Sequence, residues 1–192
     1  IVKEAENAGE VLVIGSGLVG LDAAYGLLEL KKKLTIVEMA DRILPVQLDA
    51  HGAAAYQAAF EEAGVRFVLE RKASEAVCEP DGRIHKVILD NGDQIPCDLI
   101  IVAAGVRPSL SCLEGSGIAC DRGITVDSAM KTSVGDIYAA GDVAGLSGIW
   151  PNAADQGRIA GRSMCGVDAA YTDTYAMKNT INFFHLVTLC VG

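Results

Sequence analysis

The chain has 192 residues, of which 51% are apolar and only 5% aromatic, and its formal net charge is −9. That length holds one ample domain or two small ones, and the scarcity of rings leaves Ala, Val, Ile and Leu to build the core, as in helices packed on a sheet. The acidic balance excludes a broad nucleic-acid surface, which works by neutralising phosphates, and no apolar stretch reaches the roughly 18 residues that a bilayer span needs.

Residues 1–10 are acidic and lack the basic-then-apolar order of a signal peptide. Residues 11–14 form an apolar run that ends at glycine, which predicts a buried strand. A glycine turn over 15–20 leads into a helix over 18–30 with small residues at Ala23, Ala24 and Gly26. The basic run Lys31-Lys32-Lys33 reads as the solvated end of that helix, complementing its dipole. Residues 34–37 are a second buried strand, so strand, turn, helix and strand make a right-handed βαβ unit. Asp49 is a natural N-cap for a helix through Ala63, with Gly64 just past its end, and residues 65–69 form a third strand.

The pattern then changes. Turn signals at Glu79-Pro80-Asp81-Gly82 and Asn91-Gly92 predict a three-stranded antiparallel meander over 73–97, standing where another crossover helix would be expected. Residues 98–104 return as a buried strand that ends at Gly105. Beyond Pro108 the texture loosens. Short strands are predicted at 124–126 and 137–140 and a helix at 152–165, and the apolar run 183–191 reads as the start of an element whose partners are absent.

Six cysteines are scattered without a C-x-x-C pair, which reads as reduced thiols in a cytoplasmic protein. His51, His85 and His185 are isolated, and no metal site is read from the sequence.

The glycine turn carries the chemistry. Gly15-Ser16-Gly17-Leu18-Val19-Gly20 has the G-x-G-x-x-G spacing, follows a strand, opens a helix, and is followed by Glu38 at the end of the next strand. In such a dinucleotide loop the first glycine permits the tight turn, the second lets backbone approach a pyrophosphate, and the third lets helix and strand pack closely. The free amides around Leu18 and Val19, together with the helix dipole, favour phosphate. Glu38, with Met39 next to it in the cofactor-binding set, is placed to accept from the adenosine ribose hydroxyls, and its charge opposes a 2′-phosphate, so NAD(H) is expected over NADP(H). Arg42 leaves two readings open: a counter-ion for a 2′-phosphate, or a surface cation beside Asp41.

Four strings together resemble the flavin-dependent pyridine nucleotide–disulfide oxidoreductases: VLVIGSGLVGLDAA (11–24), VEMADRILP (37–45), IVAAGVRP (101–108) and MKTSVGDIYAAGDVA (130–144). Within that family the chain looks most like the NADH oxidase, coenzyme A-disulfide reductase, NADH:rubredoxin reductase and nitrite-reductase-like branch. The resemblance implies a Rossmann-like α/β FAD/NAD(P)-binding fold, with a parallel sheet, helices and the antiparallel meander as crossover. It implies an NAD domain over 1–106, a remnant of the FAD domain over 107–166 and the start of a truncated dimerisation domain over 167–192.

At matching positions it implies that Gly105 lines the nicotinamide side. Asp142 would bond the FAD ribitol with the Gly141 and Val143 backbone close by, and Ala153 and Ala154 would lie near the flavin ring. Asp22 stands where the family usually has Glu, and it reads either as a nicotinamide contact or as a complement to the helix dipole. The implied function is hydride transfer from NADH to FAD and on to a disulfide, oxygen or a redox protein, with no side-chain acid or base required for the hydride step. A homodimer is implied for the whole protein, and this chain, carrying one such loop, is expected to bind NADH with little or no flavin. The alternative reading is a non-catalytic NAD(H)-binding module.

Overall fold

The computed structural model describes residues 2–173, 175 and 178–192. It divides into two compact units, Ile1–Gly105 with Ile181–Thr188, and Val106–Thr180 with Leu189–Gly192.

In the first unit the chain runs α1 (Val2–Asn7), β1 (Glu10–Ile14), α2 (Leu18–Leu28), β2 (Lys33–Val37), α3 (Ala50–Glu62), β3 (Arg66–Val68), β4 (Ala73–Cys78), β5 (Ile84–Leu89), β6 (Gln94–Pro96) and β7 (Leu99–Val102). Strands β3, β2, β1 and β7 form one sheet in that order, and every neighbouring pair is parallel. Their apolar residues are fully buried at Leu12, Val13, Leu34, Ile36 and Val37, as a sheet covered on both faces requires. The meander β4-β5-β6 is antiparallel. Its Val87, Leu89 and Ile95, with Cys97 just beyond it, pack with Leu12 and Val37 of the parallel sheet into one apolar cluster. Burial, together with the charges of Asp98 and Glu10, pushes the Cys97 thiol up to about 11, so it packs as an inert hydrophobe.

The helices follow their local chemistry. Asp49 caps α3 by accepting from the Gly52 amide at 2.8 Å, and Gly64 leaves the helix at φ +96°. Helix α2 stops two residues short of the predicted end, because Lys31 turns left-handed at φ +52°. The basic run does more than face solvent: Lys32 Nζ donates to the carbonyls of Glu6 and Ala8, closing the end of a helix α1 that sequence reading did not anticipate, and Lys33 pairs with Glu10. Asp98 ties the start of β1, accepting from the amides of Gly9 and Glu10 at 2.8 and 3.1 Å.

Few aromatics does not mean an aliphatic core throughout. All four phenylalanines meet in the first unit. Phe60 of α3 lies edge-on to Phe67, Phe183 and Phe184 at centroid distances of 6.3, 5.3 and 4.9 Å, with Tyr25 at 6.3 Å. Phe183 and Phe184 come from the end of the chain. Strands β8 (Lys178–Phe183) and β9 (Leu186–Val191) form a hairpin whose two turn residues, Phe184 and His185, both lie at positive φ, the conformation of a type I′ turn. The apolar run near the end is therefore the second half of a hairpin and not an unpartnered element. Its tip is fastened by the buried Tyr56 of α3, whose hydroxyl lies 3.2 Å from the Ile181 carbonyl, 3.0 Å from that of Leu186 and 3.0 Å from Thr188 Oγ1.

The second unit is built mainly from turns. The strands predicted at 124–126 and 137–140 are reduced to isolated bridges, Cys120 with Ile124, Val126 with Thr132 and Lys131 with Tyr138. Left-handed residues at Met130 and Asp136 turn the chain back before a ladder can extend. A 3-10 turn spans Asp142–Ala144, and α4 spans Trp150–Met164. Helix α4 starts two residues earlier than predicted, since Pro151 sits in its first turn, where a missing amide costs nothing.

Tyr56→Phe is expected to lower the stability of the chain by about 1–2 kcal/mol in chemical denaturation, because it leaves polar groups of the hairpin tip without the hydroxyl. NADH affinity should be unchanged.

Candidate functional site

Parallel register brings three strand ends of the first unit to one level. Ile14 pairs with Val37 on one side and Val102 on the other. Gly15, Glu38 and Ala103 continue these ladders by one residue: the Gly15 amide donates to the Val37 carbonyl at 2.8 Å, the Glu38 amide to Val68 at 3.0 Å and the Ala103 amide to Ile14 at 2.8 Å. The chain leaves β1 toward β2 on one side and later returns at β7 on the other. The carboxyl end of β1 is thus a topological switch point, where open α/β sheets bind ligands.

The glycines there have separate reasons. Gly15 sits at φ +101°, and a Cβ on it would lie 2.4 Å from the Ala103 carbonyl oxygen. A Cβ on Gly20 would lie 2.0 Å from the Gly15 carbonyl oxygen, so only glycine lets α2 come this close. Gly17 differs: its backbone is extended at φ −69°, ψ 179°, and a Cβ would meet nothing within 4 Å. Among the described residues none accepts from the amides of Leu18 or Val19, and no side chain caps the helix. Open space in front of free amides at the positive end of a helix fits a diphosphate.

Glu38 is half-buried, and its carboxylate is held by donors. Oε2 accepts from both the amide and the hydroxyl of Ser16, at 2.8 and 2.9 Å, and Oε1 accepts from the Ala40 amide at 2.9 Å. Burial pulls this carboxyl upward, but the Ala40 amide, the Ser16 amide and hydroxyl and the Met39 amide outweigh it and hold Glu38 below its ordinary value of 4.5. The Ser16 side chain, expected among the cofactor contacts, is fully buried and spent on Glu38. Arg42 is also spent: it pairs with Asp41 at 2.8 Å and donates to the carbonyls of Pro45 and Leu48. Of its two readings the pairing with Asp41 is the one present, and Arg42 does not stand free to meet a 2′-phosphate. Met39 is 69% exposed beside Glu38, so its side chain is available to a ligand. Asp22 is exposed on the second turn of α2, and partial desolvation raises its carboxyl. Gly105 lies at φ +89° with open space where a Cβ would be.

In the second unit Gly141 bends at φ +82°, ψ −156° into the 3-10 turn that begins with the exposed Asp142. Its buried amide donates to Gln156 Oε1 at 2.8 Å. Gln156 is fully buried on α4, and buried Asn152 donates to the Tyr175 carbonyl at 3.1 Å. Sequence reading missed both amides. The available signal was their spacing with Ala160: residues 152, 156 and 160 share one stripe, and two amides on the inward stripe of a helix call for specific partners. Ala153 is half-buried, 3.5 Å from where a Gly141 Cβ would be, and Ala154 is exposed.

Residues 1–157 match the family model of the pyridine nucleotide-disulphide oxidoreductases. The chain belongs to this family. This pyridine nucleotide-disulphide oxidoreductase chain is 36% identical over 151 residues to the ferredoxin–NAD(+) reductase component of the biphenyl dioxygenase system of Paraburkholderia xenovorans, covering 78% of this chain and 36% of the relative. A NAD-dependent persulfide reductase from A. fulgidus superposes with a TM-score of 0.88 at 28% identity over 100% of this chain and 37% of that one. A FAD-dependent member from Desulfovibrio vulgaris superposes with a TM-score of 0.80 at 27% identity, covering 92% and 47%. Curated relatives are matched over as little as 20% and as much as 45% of their own length, so the oxidoreductase chain spans less than half of them. No helix among the described residues is long and apolar enough to cross a membrane.

The glycine geometry separates folding from binding. Gly20→Ala is expected to lower the melting temperature by several degrees, since its methyl must displace backbone. Gly17→Val should fold with the wild-type melting temperature yet lose NADH binding by at least about tenfold in a fluorescence titration, because its side chain fills ligand space. Glu38 sets an acid dependence: its folded value is depressed, so its stabilisation is complete above 4.5 and fades as pH falls through the lower folded value. Denaturation from pH 7 to pH 3 should therefore show Glu38→Gln less stable than wild type at neutral pH, with the gap closing in acid.

Proposed function

We propose that this chain is the NAD(H)-binding portion of a flavin-dependent oxidoreductase that passes hydride from NADH to FAD and on to a disulfide, oxygen or a redox-protein acceptor. The observation that carries the reading is the pairing of a donor-held, charged Glu38 with open space and free amides at Gly17–Val19, on two strands whose ends are level. The amides around Leu18 and Val19 hold the diphosphate, and Gly17 leaves it room. Glu38 takes a ribose hydroxyl with the acceptor capacity left on Oε1, with Met39 flanking the adenosine. Gly105 lines the nicotinamide side, and Asp22, raised by desolvation, faces the same half of the ligand.

FAD, when bound, supplies the hydride acceptor and the route for electrons onward. Its ribitol would be held by Asp142, with the backbone of Gly141 and Val143 beside it and Ala153 and Ala154 leaving room for the ring. The exposed Asp142 carboxylate on a bend pinned through Gly141 supports that assignment.

We extend the reading to the domains: NAD-binding over 1–106, part of an FAD-binding domain over 107–166 and part of a dimerisation domain over 167–192, of which 181–188 cluster with the first unit. For the whole protein we extend the reading to a homodimer. Redox proteins are among its proposed acceptors, as in the relatives named for ferredoxin and rubredoxin. Six unpaired cysteines support a reducing compartment, the cytoplasm.

Titration of the chain with the two reduced dinucleotides tests the site. NADH should bind at least about tenfold more tightly than NADPH, because Glu38 is charged and Arg42 is engaged by Asp41 and two carbonyls. Equal or tighter binding of NADPH would overturn the Glu38 assignment.

A further inference from the structure

Ser16 occupies the variable position between the first two glycines of the loop, where nothing in the dinucleotide pattern calls for a hydroxyl. In the structure it is completely buried, and each of its polar groups is committed. Its amide and its hydroxyl both donate to Glu38 Oε2, at 2.8 and 2.9 Å, and its carbonyl accepts from the Leu44 amide at 3.0 Å. The segment from Glu38 to Leu44 is thus bound at both ends to one residue of the glycine loop. Leu44, fully buried, is left-handed at φ +48°, a conformation a leucine keeps only where its surroundings fix it.

We infer that Ser16 is a positioning residue: its hydroxyl and amide fix the Glu38 carboxylate in the one orientation that accepts the adenosine ribose of NAD(H) and turns away a 2′-phosphate. This rests on the proposed NAD(H) site.

The geometry supports the inference in two ways. A carboxylate offers about four acceptor positions. Ser16 fills two of them on Oε2 and Ala40 one on Oε1, while the Met39 amide lies near the carboxylate without forming a hydrogen bond, so the remaining capacity is confined to Oε1. A carboxylate free to rotate would offer either oxygen and could swing aside. The donors are also all neutral. Among the charged groups on neighbouring segments, Arg42 is engaged by Asp41 and two carbonyls, and Arg71 donates to the Glu70 carbonyl. Asp22 is exposed on α2. None of these forms an ion pair with Glu38 among the described residues, so hydroxyl and amide donors hold the carboxylate without cancelling its charge.

The test compares wild type, Ser16→Ala, Glu38→Gln and the double variant in the 192-residue chain, by fluorescence titration with NADH and with NADPH. Ser16→Cys serves as a second variant that keeps a weaker donor. Ser16→Ala should lose about tenfold in NADH affinity, the size expected for one hydrogen bond to a charged group, while NADPH affinity stays within about twofold. Ser16→Cys should shift the NADH/NADPH ratio in the same direction. In the Glu38→Gln background, Ser16→Ala should change NADH affinity by less than about twofold, since the negative charge that its hydroxyl orients is gone. A carbon-13 titration of the Glu38 carboxyl should show its midpoint rising toward the ordinary value in Ser16→Ala.

An unchanged NADH/NADPH ratio in either folded Ser16 variant, an equal loss for both ligands, or an undiminished effect in the Glu38→Gln background would overturn the positioning role. Failure of the NAD(H) site itself would look different: wild type would not bind NADH, or Glu38→Gln would bind it as well as wild type.

Discussion

A carboxylate beside an apolar sheet end stays charged only if donors replace the water it has lost, and the first unit is arranged around that requirement at Glu38. Ser16 and Ala40 supply the donors from the two loops that follow β1 and β2. Parallel register supplies the rest, because Ile14, Val37 and Val102 end level, so a glycine loop and an acid from neighbouring strands meet without distortion. Burial alone would drive Glu38 toward neutrality; the hydrogen bonds win, and the result is a fixed negative charge next to open space.

The three loop glycines illustrate how one residue type serves two masters. At Gly15 and Gly20 a side chain would strike the protein's own backbone, so these positions belong to the fold. At Gly17 a side chain would strike nothing, and its backbone lies in a region open to any residue. The folded chain gives no reason for glycine there, and a ligand does. On the proposed function the motif is half architecture and half binding site, and the structure supports that division by leaving space only at Gly17.

Much of the first unit was legible because its elements carry strong local signals. Apolar runs ending at glycine marked β1 and β7, Asp49 and Gly64 bracketed α3, and the Pro-Asp-Gly and Asn-Gly turns marked the meander. The glycine loop and Glu38 were legible for the same reason. What was not legible depended on contacts distant in sequence. Low aromatic content said nothing of four phenylalanines converging through a hairpin more than a hundred residues from Phe60. Gln156 and Asn152 look like ordinary helix residues until their burial is seen. Ser16 reads as a cofactor contact until its hydroxyl is found on Glu38, and Arg42 kept two readings until its donors were found spent. In the second unit, the short strands predicted at 124–126 and 137–140 were left as single bridges by tight left-handed turns.

The central claim is that a diphosphate lies on the amides of the glycine loop while an acid on the next strand holds a ribose. Amide chemical-shift mapping of the isotopically labelled chain on addition of NADH tests it most directly. The account requires the largest changes at Gly17–Gly20, with accompanying changes at Glu38–Ala40 and Gly105. Changes centred instead on the opposite end of the sheet, around Glu4, Arg83 and Asp98, with the glycine loop unmoved, would contradict it.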